Sequence, residues 1–137
     1  MNYDDLYEDG YPTDEALNYI ETFDWQKGDV HELFAFIRSI WTSWSYWVES
    51  GNWIDPADGN WIESFVEDSK FEGMNYMRYE FSTAGWSGNE DIIDALKNNE
   101  SLWNLCLESY RRGGHYVFDT RYVINELEKK LRGSSNE

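Results

Sequence analysis

A chain of 137 residues with a single cysteine and a formal net charge of −16 has room for one hydrophobic core and no internal disulfide. The charge argues against nucleic-acid binding by phosphate neutralisation, which needs lysine and arginine, and against docking on an anionic membrane. It suits a basic protein partner, and it also keeps soluble a sequence that carries 8 Trp, 10 Tyr and 7 Phe.

Every charged residue in 1–24 is acidic, and Tyr3, Tyr7 and Tyr11 are interleaved among them. Residues 1–12 read as an acidic, flexible arm; its Asp4, Asp5, Glu8 and Asp9, with Asp14 and Glu15 just beyond it, are the candidate partner-binding residues. The arm lacks the basic region and apolar run of a secretion signal, so an intracellular chain is expected. Thr13 is placed to cap a short helix carrying Leu17 and Ile20.

Asp29 and Glu32 have capping-box spacing. From Val30 to Val48 apolar residues recur at three- and four-residue intervals, including Trp41, Trp44 and Trp47. That spacing predicts one amphipathic helix over about 29–50, stopped at Gly51, with the tryptophans in the core and His31 exposed beside the cap. Asp55-Pro56 and Asp58-Gly59 mark turns. Residues 61–67 fit a strand or a short helix, with the strand preferred, and 74–83 fit a strand that sends Tyr76 and Tyr79 to opposite faces. Gly85 and Gly88 bracket a turn, and Ser87 with Glu90 suggests a capping box opening a helix to Asn98.

Residues 102–110 read as a strand or as a helix ending near Gly113. The strand is preferred, because Arg111-Arg112-Gly113-Gly114 then turns the chain into a second strand at 115–120. A helix over 121–131 and a frayed tail at 133–137 complete the chain. The whole predicts a single α+β domain over 13–132, an antiparallel-rich sheet of about three to four strands packed by the long helix and two shorter ones.

No catalytic signature stands out. The sequence has no P-loop, dinucleotide fingerprint or HExxH, and one Cys with two His is too few for a usual zinc site, so neither cofactor nor metal is expected. Cys106, between Leu105 and Leu107, reads as core. Ser87, Ser109 and His115 are candidates for a nucleophile arrangement, but no residue marks itself as the partner that would orient the base. One constellation stands apart. Trp86, Ser87 and Asn89 in the first glycine turn, with Arg111, Arg112 and His115 in the second, would offer amides, guanidinium groups and a stacking ring to a small anion or nucleotide. They form one site only if the sheet brings both turns to the same end. The acids Glu90, Asp91 and Asp94 weigh against an anion there.

The segments Phe81-Ser82-Thr83-Ala84-Gly85-Trp86-Ser87-Gly88-Asn89-Glu90 and Arg111-Arg112-Gly113-Gly114-His115-Tyr116 resemble a family of small proteins encoded in bacteriophage and prophage genomes. The similarity spans residues 76–120 and leaves out the Trp-rich helix and the acidic arm. It implies an origin rather than an activity: a phage accessory protein in the bacterial cytoplasm. By analogy of size and charge, it would inhibit or modulate a basic host protein, as anti-restriction, anti-CRISPR or DNA-mimic proteins do. The alternative is a small anionic-ligand or nucleotide-binding protein, with an enzymatic version left open, built on the Gly85–Asn89 and Arg111–His115 turns.

Overall fold

The computed structural model describes residues 7–8, 11–41, 46–47, 53–54, 61–68, 74–83, 86–112 and 114–135. Near the N-terminus, β1 (Tyr7–Glu8) pairs with β2 (Tyr11–Pro12) in a short antiparallel ladder. Helix α1 (Asp14–Thr22) starts at Thr13, whose hydroxyl accepts the Ala16 amide at 3.2 Å, as its sequence predicts. Helix α2 (Val30–Ile40) starts at Asp29, whose carboxylate accepts the His31 amide at 2.9 Å. His31 is half-buried rather than simply exposed: its ring nitrogens bond to Asp29 at 3.2 Å and to the Thr120 hydroxyl at 3.1 Å.

Helix α2 is much shorter than the predicted 29–50. Trp41 leaves it with φ −75° and ψ 127°, and β3 (Tyr46–Trp47) pairs with β4 (Trp53–Ile54). The reason lies in composition. Past Ile40 the chain is Trp, Thr, Ser and Tyr, which are poor helix formers, and most of them are better suited to extended backbone. The aromatic spacing continued the stripe while the propensity ended it. Trp44 and Gly51 lie outside the described residues.

The main sheet has four strands in the order β5-β6-β8-β7, all antiparallel: β5 (Trp61–Asp68), β6 (Met74–Ser82), β7 (Leu107–Arg111) and β8 (His115–Asp119). Direct cross-strand partners share a face, so Tyr79 and Phe81 lie on the same side as Phe118 and Tyr116. Phe34 of α2 stacks on Tyr79 at 4.3 Å and reaches Phe118 at 5.8 Å. This aromatic layer is the centre of the core, joined by Leu33, Ile37, Ile92 and Leu102. Tyr76 is buried on the opposite face, where the Arg121 guanidinium lies 5.0 Å from its ring.

Between β6 and β7 run α3 (Ser87–Asn98) and α4 (Glu100–Cys106), and α5 (Arg121–Ser135) follows β8. Two expectations change here. The Ser87–Glu90 capping box does not form. The Trp86 amide closes a turn on the Thr83 carbonyl at 3.0 Å, Trp86 becomes the N-cap, and Ser87 is already helical. The strand expected over 102–110 divides into the end of a helix and a shorter strand. Leu102 and Cys106 are buried one helical turn apart, and Leu107 then turns extended. Asn99, between α3 and α4, donates to the carbonyls of Ile20 at 3.0 Å and Phe23 at 2.8 Å, which ties that junction to the end of α1. The last helix continues to Ser135, through residues expected to fray. The α+β class and the antiparallel sheet stand as predicted, with five helices among the described residues.

Candidate functional site

The sheet order brings the two glycine turns together. Strand β6 ends where β8 begins: Ser82 pairs with His115, and the Thr83 amide donates to the Gly114 carbonyl at 3.0 Å. Gly114 has φ +83°, and a Cβ there would collide with the Thr83 hydroxyl. Glycine is required on both counts, and it is what lets the hairpin tip lie against the end of β6.

The side chains expected to share a ligand nonetheless diverge. Asn89 is fully buried, and its amide donates to the Thr83 carbonyl at 3.4 Å, a role in holding the turn. Trp86 stacks on Tyr11 with centroids 5.3 Å apart, and the exposed Ser87 hydroxyl donates to the Tyr11 phenol oxygen at 3.2 Å. His115 points to the opposite face of the sheet, with Nδ1 2.7 Å from the Ser82 hydroxyl. Arg111 and Arg112 are exposed at the hairpin. Of the acidic candidates, Asp14 and Glu15 are exposed in the first turn of α1. Asp4, Asp5, Asp9 and the Glu8 side chain lie outside the described residues.

A groove of about 440 Å³ opens between α3 and the β7–β8 tip. One wall is the α3 face formed by Glu90, Ile93, Asp94 and Lys97; the other is Thr83, Gly114, Tyr110 and Tyr116. Neither arginine is part of the lining. Tyr110 and Tyr116 are direct cross-strand partners with centroids 4.8 Å apart, one ring 55% exposed and the other nearly buried. The Tyr116 phenol is pushed above its ordinary value, first by burial, then by Tyr110, and then by the negative charges of Asp94 and Glu90. Those carboxylates therefore act on the ring from across the groove. Lys97, whose ammonium lies 5.8 Å from the Trp103 ring centre, is the one cation in the lining. Two carboxylates against one ammonium, facing tyrosine rings, attract a cation rather than an anion.

In the sequence, Glu90 and Asp94 weigh only against an anion site. Their spacing with Lys97, one turn and then nearly another, already set them on one helix face. Tyr110 and Tyr116 were legible too, because a turn that pairs Arg111 with His115 also pairs the residues just outside them.

A second group of charges lies on the other face of the sheet. Arg78 pairs with Glu80 at 3.1 Å and with Glu108 at 3.6 Å, while Arg121 pairs with the buried Asp119 at 3.1 Å. A bulge between Leu107 and Ser109 interrupts the ladder at Glu108. The Glu108 carboxyl is held above its ordinary value, chiefly by burial, with Arg78 opposing and Asp119 adding to the rise. These charges are matched to one another within the fold. Cys106 is buried and its thiol is pushed up to about 12, first by burial and then by Asp119, which leaves it an inert core residue. Among the described residues no group of His, Cys, Asp and Glu is arranged to hold a metal, and no helix is long and apolar enough to cross a membrane.

No protein-family model matches the chain, and no curated protein or solved structure matches it either.

Proposed function

We propose that this chain is a binding protein for a basic partner and that it receives a cationic side chain in the groove between α3 and the β7–β8 tip. The observation that carries this reading is the pairing of Glu90 and Asp94, one turn apart on α3, with the tyrosines across the groove. A guanidinium or ammonium entering there meets carboxylates on one side and aromatic rings on the other, the surroundings that cations favour. The net charge of −16 acts at longer range and steers such a partner toward the surface. The resemblance to phage-encoded proteins extends the proposal: the partner is a basic protein of the host cytoplasm, and binding modulates it. The anionic-ligand alternative is less well supported, because the groove beside the two turns is acidic and its lining lacks Arg111 and Arg112.

The test is a titration of the isotope-labelled protein with a blocked tri-arginine peptide. Amide shifts should concentrate at 90–97, 110 and 114–116. The affinity should fall steeply as salt rises, since the pairing is only partly shielded from water. Shifts scattered evenly over the acidic surface would reject the groove as the site.

A further inference from the structure

The two edges of the main sheet are built differently. Strand β7 is short, five residues, and a bulge interrupts its ladder. Bulges and shortness are the usual means by which a sheet blunts an edge against further pairing. Strand β5 has neither protection. It is eight residues long, its register with β6 runs unbroken from Trp61 opposite Phe81 to Asp68 opposite Met74, and among the described residues β6 is its only strand partner. Several of its described side chains are open as well. Phe65 is 61% exposed, Ile62 is 39% exposed, and Ser64 and Glu67 are also exposed. A long, regular edge carrying apolar side chains is a template for one more strand.

The pattern on the strand indicates which strand would fit. Glu63, Phe65 and Glu67 fall on one face by alternation, giving acid, aromatic, acid in sequence. Arg38 holds Glu63 at 3.0 Å, which fixes the position of that carboxylate beside the edge. Residues on an added strand would sit directly opposite these. The favourable neighbours are a basic residue opposite the exposed Glu67 and an apolar one opposite Phe65, while the Glu63 carboxylate is already matched by Arg38. A second copy of this chain is the poorer occupant, because two molecules of net charge −16 repel and an antiparallel pairing centred on Phe65 sets Glu63 opposite Glu67.

We infer that the outer edge of β5 binds an extended segment of a partner protein by strand addition, and that the segment sets an apolar residue opposite Phe65 and a basic one opposite Glu67 on the face they share. The inference shares with the groove reading the idea of a basic partner, but it rests on other residues at the opposite edge of the sheet, so the two can fail separately.

The experiment uses the full chain and a blocked peptide of sequence Lys-Val-Val-Thr-Lys-Val, with hydrogen exchange and binding measured together. A second peptide of the same sequence has its backbone amides N-methylated, which keeps charge and side chains but removes the main-chain donors. Expected are slowed exchange at alternate amides of 61–68 and affinity at least tenfold weaker for the N-methylated peptide. Phe65→Ser, a change at an exposed position, should weaken the unmodified peptide in the same direction. Equal binding of the two peptides would overturn strand addition. Protection confined to α3 and the β7–β8 tip would also overturn it and leave the groove reading intact. Protection of β5 that grows with protein concentration in the absence of peptide would assign the edge to a second copy instead.

Discussion

Carboxylates gather in two places in this molecule, and the company they keep differs. On the face of the sheet away from α2, Asp119, Glu108 and Glu80 each interact with an arginine, and Asp119 is only 2% exposed. In the groove, Glu90 and Asp94 are exposed, make no ion pair among the described residues, and share the lining with a single lysine. The difference separates charge that is matched within the fold from charge that the fold leaves exposed. A buried acid matched to an arginine completes itself; an exposed pair facing tyrosine rings does not.

The contrast predicts opposite outcomes for similar substitutions. Asp119→Asn should destabilise the fold by about 2–3 kcal/mol in urea unfolding, because it weakens both the ion pair and the bond that Asp119 accepts from the Arg121 amide. Gly114→Ala should lose about 1–3 kcal/mol, since alanine is strained at a φ of +83° and its methyl would displace Thr83. Binding should weaken in that variant as well, because Thr83 and Gly114 both line the groove.

A smaller effect concerns pH. The Glu108 carboxyl is raised above its ordinary value in the folded state, so the protonated form is favoured there. Its contribution to stability is therefore fully present below the ordinary value and is lost as pH rises through the folded one. Glu108→Gln, which mimics the protonated form, should gain in melting temperature relative to the wild type as pH rises above the ordinary carboxylate range. A difference that stays flat over that rise would mean that the surroundings do not raise the Glu108 carboxyl. The smallest effect is spectroscopic. In a tyrosinate titration, the Tyr116 phenol should ionise at slightly lower pH once Glu90 and Asp94 are neutralised, because both help to raise it.

How much of this was legible depended on whether one physical signal decided each element. Thr13 and Asp29 announced their helices, because a side-chain acceptor at that position has little else to do. Strand β6 and the β7–β8 turn were readable from alternation and paired glycines. Where two signals competed, the reading failed. The tryptophans beyond Ile40 kept helical spacing while their neighbours disfavoured a helix. Residues 100–111 satisfied both periods because the segment holds a helix and then a strand. Ser87 had the right partner at Glu90, but a turn closed by Trp86 on Thr83 started the helix one residue earlier. The two turns that the sequence singled out do lie side by side. The meeting of the two turns depended on strand order, and the sign of the charge depended on which face of α3 turned inward, neither of which local pattern contains.

The most direct test of the central claim compares the wild type with the double variant Glu90→Gln/Asp94→Asn, measuring the Kd for the tri-arginine peptide and the unfolding free energy side by side. Both side chains are exposed, so stability should stay within about 0.5 kcal/mol of the wild type. Binding should weaken at least tenfold, equivalent to about 1.4 kcal/mol. An unchanged Kd in a correctly folded double variant would contradict the account, because the peptide would then be held by the acidic surface at large and not by the groove.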